Sequence, residues 1–370
     1  MVDPMLFSPI HIGDIVLQHR VVLAPLTRNR VDSRGVLLPL VKKYYSQRAN
    51  IPGTLLISEP SIIGPQAGGQ PHNPGIWSDE QIAAWKEVAD SVHSKGSFIF
   101  CQLWALGRAA YPDMIQHESF PYVSASNIQH TKRNSPPRPL TIEEIEEYIR
   151  LFATAASNAV HKAGFDGVEI HNASGYLPDQ FLQDVTNVRQ DDYGGSIKNR
   201  ARFSLEVVEA VVNAVGQRKT GIRFTPWDRF QDMRMSEPTA TFAYITSELK
   251  RRFPNMAYLS VTEPRVHGFD TLPASEYVGE SNDFLREIWK PNVFISCGAY
   301  TRETALQVAE HGNELIASGR AFLANPDLPL RWKNDLPLNK YDRTTFYMLG
   351  DTSETGYTDY PFWGDNADKK

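Results

Sequence analysis

A chain of 370 residues could hold two domains or one large α/β barrel, and 41% hydrophobic with 22% charged residues is a globular composition with a sizeable core. A formal charge of -5 without a Lys/Arg-rich run argues against a nucleic-acid partner. The two cysteines, Cys101 and Cys297, lie in apolar runs and read as reduced core thiols, which disfavours a disulfide scaffold or a cysteine metal site.

The opening residues lack a basic segment followed by an apolar one, and no stretch approaches membrane-spanning length, so a cytoplasmic protein without a membrane partner is expected. Residues 10–14 can pair as a small hairpin. At 21–28, Val21, Val22, Leu23 and Ala24 run into Pro25, Leu26 and Thr27, which reads as a buried strand meeting its loop. The same grammar recurs at 54–59, 98–103, 167–171, 221–226, 257–261, 293–298 and 314–320, making eight candidate strands.

Helical patterns lie between them. From Ser78, the apolar Ile82, Trp85, Val88, Ala89 and Val92 keep helical spacing, and Lys95-Gly96 supplies a cationic last turn and a terminal glycine. Thr141 with Glu144 is a capping-box pattern that opens a long helix closed by Ala163-Gly164. Residues 200–216 and 301–312 carry further helical spacing. Alternating strand and helix predicts a parallel sheet, and eight repeats predict a single (β/α)8 TIM barrel, one domain over 1–370. The runner-up, an open doubly wound sheet, lacks a glycine-rich dinucleotide fingerprint after the first strand.

The longest interval between strands contains the polar, Pro-bearing stretch 108–139 after the third strand. Its length suits a lid-like loop over the barrel mouth; padding of an exposed edge is the alternative. The aromatic-rich tail after Arg320 is expected to pack rather than dangle.

Polar residues end the strands: Thr27, Glu59, Gln102, His171, Arg223 and Arg320, with Gly298 and Gly319 at the last two. A closed barrel would bring them to one face, and the glycines fall where such barrels frequently bind phosphate. The set suits a phosphorylated, planar, hydrogen-bonding cofactor, whereas no His/Asp/Glu spacing suits a metal. Singly, each has a duller reading: Gln102 as a loop residue, His171 as a core histidine, the glycines as turns. Arg223 is harder to dismiss, because an unpaired buried guanidinium is costly.

Several ordered motifs carry a resemblance: Val22-Leu23-Ala24-Pro25-Leu26-Thr27-Arg28, Gln102-Leu103-Trp104-Ala105-Leu106-Gly107-Arg108, Gly164-Phe165-Asp166-Gly167-Val168-Glu169-Ile170-His171 and Gly319-Arg320-Ala321-Phe322-Leu323-Ala324-Asn325-Pro326. With these the chain resembles the old yellow enzymes, notably the fungal members, over about 6–361. The resemblance implies tightly bound, non-covalent FMN, NADPH as reductant, and reduction of the C=C bond of a small enone or enal substrate by a monomer or homodimer. It implies that Pro25, Leu26 and Thr27 touch the flavin ring, that Gln102 bonds its pyrimidine side and that Arg223 sits near the part that becomes negative on reduction. Gly298, Gly319 and Arg320 would hold the phosphate, and Phe346 would pack beside the flavin. Trp104 and Tyr347 would shape the substrate pocket, His171 would hold the carbonyl oxygen, and Tyr176 would protonate the α-carbon.

The family pattern pairs the histidine with a second His or an Asn three residues later. Here Ser174 stands at that position and an amide occurs at Asn172, so either could be the second anchor. Cys101 replaces a histidine often found before the glutamine and reads as packing. A flavin-dependent isomerase or cyclisation catalyst of secondary metabolism on the same fold is the alternative within enzymes. A barrel that binds FMN without turnover is the alternative outside them.

Overall fold

The computed structural model describes residues 4–310 and 312–365. Among these, the eight expected strands are all present: β1 Val21–Leu23, β2 Leu55–Ile57, β3 Phe98–Trp104, β4 Gly167–His171, β5 Thr220–Phe224, β6 Tyr258–Thr262, β7 Phe294–Cys297 and β8 Glu314–Ser318. Each pairs in parallel with the next, and β8 returns to β1 with Ile316 opposite Val21, so the sheet closes into a barrel. The apolar runs that marked these strands follow from burial on both faces, inward against the barrel interior and outward against helices.

The connecting helices are α1 Leu40–Arg48, α2 Asp79–His93, α3 Ile142–Ser157, α4 Ile197–Val215, α5 Pro238–Arg252, α6 Asp283–Trp289, α7 Arg302–Ala309 and α8 Arg320–Ala324. Ser78 and Thr141 both form capping boxes, with Gln81 and Glu144 respectively, which satisfies backbone N–H groups the first turn leaves unpaired. Three expected helix bounds shift. α3 leaves α-helical geometry at Ser157, and a π-helical turn, Asn158–Lys162, carries the chain on to Ala163-Gly164. α4 starts three residues before 200, because the Ser196 side chain accepts from the Asn199 N–H and caps it there. α7 ends at Ala309, short of 312.

Inside the barrel Val22, Leu55, Ile57, Phe100, Tyr258, Ile295, Leu315 and Ala317 form one apolar cluster, plugged by Ile10, Ile12, Ile15 and Leu17 of the expected hairpin, Ile10–Ile12 with Ile15–Leu17. Two glycines make room for the large rings. A Cβ on Gly167 would meet the Phe100 ring at 2.5 Å, and one on Gly221 would meet the Tyr258 ring at 2.6 Å. Tyr258 therefore lies across β5 toward β4.

The stretch 108–139 works on the mouth from outside. Arg108 Nη2 donates to the Gln231 carbonyl at 2.7 Å, and the Thr131 N–H donates to Asp232 Oδ2 at 2.7 Å. It braces the loop after β5, which itself reaches the mouth. The tail packs as expected: Tyr357 is buried and stacked on Tyr44 at 4.4 Å, and Arg28 Nη2 donates to the Gly356 carbonyl at 2.8 Å. Among the described residues no helix is long and apolar enough to cross a membrane, and no cluster of His, Cys, Asp and Glu could hold a metal ion.

Candidate active site

Side chains alternate in and out along a strand, so Gln102 on β3 and Glu169 and His171 on β4 share one interior face with Arg223 on β5. Register sets them side by side, with Gln102 opposite Glu169 and His171 opposite Arg223. Above them opens a cavity of about 560 Å³ lined by Pro25, Leu26, Thr27, Gln102, His171, Ser174, Tyr176, Arg223, Gly298, Gly319, Arg320, Phe346 and Tyr347. Thirteen residues named from the sequence thus meet in one space, although they span the chain.

Three named residues lie elsewhere. Glu59 is buried, its Oε2 accepting from the Arg28 N–H at 3.1 Å, and does not line the cavity. Trp104 is buried behind the wall, edge-on to the Tyr176 ring at 4.9 Å between centroids and stacked beside His171 at 6.5 Å. Asn172 is fully buried and does not line the cavity; neither polar atom of its amide has a hydrogen-bond partner among the described residues. Strand parity explains this, since His171 pointing inward sends Asn172 outward. Of the two candidates for the second anchor, Ser174 faces the cavity.

Ser174 sits on a tight turn with φ +53°, its N–H donating to Thr225 Oγ1 at 2.7 Å and its carbonyl accepting from Gln231 Nε2 at 2.7 Å. The next residue is fixed from below: the Gly175 N–H donates to Asp179 Oδ2 and Gln183 Nε2 to Asp179 Oδ1, both at 2.9 Å. Burial pushes the Asp179 carboxyl up to about 7, against the pull of those donors. Its folded pKa lies above its unfolded one, so its contribution to stability is present at low pH and lost as pH rises from about 4 to 7. In Asp179→Asn that dependence disappears. Urea midpoints should show a larger deficit relative to wild type at pH 5 than at pH 8; equal deficits would refute the assignment.

The electrostatics separate the remaining polar groups by role. Burial, reinforced by Arg223, holds His171 well below the usual imidazole range, so the ring is neutral. Burial, with Tyr347 and Asp228 nearby, holds the Tyr176 phenol above its usual range, so it keeps its proton. Burial works against the charge of Arg223, but the Cys297 sulfur and the Glu169 carboxyl outweigh it. Arg223 Nη2 donates to Thr262 Oγ1 at 2.9 Å, while Nη1 is buried with no partner among the described residues; His171 Nδ1 is likewise unpartnered.

These open valences fit a flavin mononucleotide. The residues that carry them, Arg223 and His171, line with Gln102 the space for a carbonyl-rich ring, and Arg320 and Arg343 line the same cavity as Gly298 and Gly319. Close approach explains both glycines: a Cβ on Gly298, at φ +133°, would lie 3.1 Å from Glu263 Cβ, and one on Gly319 would lie 3.0 Å from Leu26 Cδ2. Sequence reasoning missed Asp228, Phe230, Phe269 and Arg343, which also line the cavity. Asp228 Oδ1 accepts from the N–H groups of Phe230 at 2.9 Å and Gly268 at 3.0 Å, tying together the two loops that carry the phenylalanines.

A closed parallel barrel whose mouth joins an amide, buried guanidinium and close-approach glycines defines a barrel oxidoreductase built around a phosphorylated redox cofactor. Residues 5–339 match the NADH:flavin oxidoreductase / NADH oxidase family. The chain is 46% identical over 362 residues to the chanoclavine-I aldehyde reductase fgaOx3 of Penicillium roqueforti, covering 96% of each. It is 44% identical over 377 residues to the probable inactive dehydrogenase easA of Claviceps fusiformis, covering 99% of this chain and 96% of that one. Its structure is similar to that of old yellow enzyme from Pichia sp. AKU4542, with TM-score 0.89, 38% identity, and coverage of 98% and 94%. The chain belongs to this flavin oxidoreductase family, that of the old yellow enzymes, and is an enzyme using FMN and a nicotinamide reductant. Because its relatives include several named inactive, the individual catalytic groups carry the functional reading.

Proposed function

We propose that this enzyme reduces the C=C bond of α,β-unsaturated aldehydes or ketones, with the proton supplied by Tyr176. The observation that carries the reading is that His171, Ser174 and a protonated Tyr176 share one cavity with Gln102, Arg223 and Arg320. Bound FMN, reduced by NADPH, supplies the hydride for the alkene β-carbon.

Gln102, Thr27 and Arg223 hold the ring by hydrogen bonds and charge, Pro25, Leu26 and Phe346 pack against it, and Arg320 with Gly298 and Gly319 takes the phosphate. His171, neutral, donates one N–H to the substrate carbonyl and stabilises the charge that develops there. Ser174 offers a second, shorter donor beside it. Tyr176 lies next to His171, with ring centroids 4.7 Å apart, so an acid and a carbonyl anchor sit side by side. Tyr347 closes the substrate side. A protonated acid placed beside the anchor favours net reduction over isomerisation, which needs no added proton. A fungal relative named chanoclavine-I aldehyde reductase supports placement in fungal secondary metabolism.

Anaerobic NADPH should bleach the bound flavin and cyclohexenone should restore its oxidised spectrum; bleaching that no enone or enal reverses would refute ene-reduction. Ser174→Asn should tighten binding, because asparagine tolerates the φ of +53° and its amide reaches further. One added hydrogen bond predicts a Kd for phenol about 2- to 10-fold lower by flavin absorbance titration. An unchanged Kd would show that Ser174 does not contact the ligand.

A further inference from the structure

Most interior positions of the barrel are filled as closed barrels usually are, with aliphatic and aromatic side chains. Glu169 breaks the rule. It is 0% exposed, lies on the interior face of β4 one step below His171, and an ionised carboxyl there costs several kcal/mol of desolvation on the usual scale. An apolar residue would be cheaper, so the carboxyl is retained for its contacts.

Its neighbours belong to the mouth. Glu169 Oε1 accepts from Gln102 Nε2 at 2.6 Å, with Gln102 directly opposite in the β3–β4 register. Arg223 acts on it by charge from β5. The Tyr258 ring reaches toward it over Gly221, and burial raises the pKa of the Glu169 carboxyl against the pull of Arg223, Gln102 and the Tyr258 hydroxyl; Arg223 Nη1 has no hydrogen-bond partner among the described residues.

We propose that Glu169 is a positioning residue for the flavin, tethering the Gln102 amide and tempering the positive charge that Arg223 places under the ring. The tether assigns the amide. An ionised carboxylate only accepts, so one Nε2 hydrogen is committed to it, leaving the other N–H and Oε1 to the cavity. The charge acts in the opposite sense to Arg223: the guanidinium favours the negative charge that arrives on reduction, and a carboxylate one layer below opposes it. Together they set how readily the bound flavin accepts electrons. The proposal rests on the reading that Gln102 and Arg223 face the ring.

Midpoint potential and FMN affinity, rather than turnover, test it. Glu169→Gln should retain FMN and raise the potential, shifting the oxidised–reduced equilibrium about tenfold, equal to about 30 mV for a two-electron couple; an unchanged potential overturns the charge role. Glu169→Asp keeps the charge and withdraws the carboxylate, so its potential should stay near wild type while FMN binds about tenfold more weakly. Wild-type affinity in that variant overturns the tether, and it decides the matter if Glu169→Gln does not fold. Gln102→Leu separates the proposal from the reading beneath it. Weakened FMN binding there, with both Glu169 variants like wild type, overturns only the role of Glu169; unchanged FMN binding overturns the placement of the ring as well.

Discussion

Tyr176→Phe slows alkene reduction by about 100- to 10,000-fold, the usual worth of a positioned general acid, while reduction of the flavin by NADPH proceeds at the wild-type rate. The phenol is the protonated acid beside His171 in the cavity, and its pKa, raised by burial, keeps it protonated across the working pH range. Removing the oxygen also withdraws its contact with the Gln231 side chain, but the ring packing stays. The edge-on contact with Trp104 and the T-shaped contact with His171 involve the ring, which phenylalanine retains. Stopped-flow absorbance separates the half-reactions, since NADPH bleaches the flavin in one and an enone recolours it in the other. Equal losses in both would mean that Tyr176 shapes the pocket rather than donates a proton. A normal oxidative half-reaction would mean that another group, or water, supplies it.

Strand parity decided much of what could be read from the chain. Parallel strands covered on both faces appear as short apolar runs that end in polar residues, so the order of β1 to β8 and the convergence of Gln102, His171 and Arg223 were legible. The same parity separates Asn172 from His171, but Ser174 is returned to the cavity by a turn at φ +53° that neither composition nor spacing signals. Phe230 and Phe269 lie in loops without periodicity and face each other at 5.1 Å through tertiary folding alone. Glu169 stood in a quoted motif, yet an acid inside an apolar run has no local signature; its meaning comes from the residue across the register, 67 positions earlier. The stretch 108–139 was marked by length, but its contacts with Gln231 and Asp232 depend on where β5 places them.

Arg286→Met should cost about 3–5 kcal/mol, because it leaves buried carboxyls without their counter-charge. Arg286 on α6 donates through Nε to Glu314 Oε1 at 3.1 Å and Oε2 at 3.2 Å, through Nη2 to Ser296 Oγ at 2.8 Å, and pairs with Glu263. Burial alone would lower its pKa, but Glu263 and Glu314 more than offset that and hold the guanidinium above its usual range. The cluster bears on the cofactor end of the cavity. Glu263 follows β6, accepts from the Tyr300 hydroxyl at 2.9 Å, and packs where a Cβ on Gly298 would sit. The turn 298–300 is therefore held through Glu263, and the variant should also release FMN more readily. Urea midpoints at neutral pH should show the loss. Adding Glu314→Leu removes one of the stranded charges, and the double variant should be less destabilised than the sum of the single ones. Additive losses would show that Arg286 contributes packing rather than charge compensation.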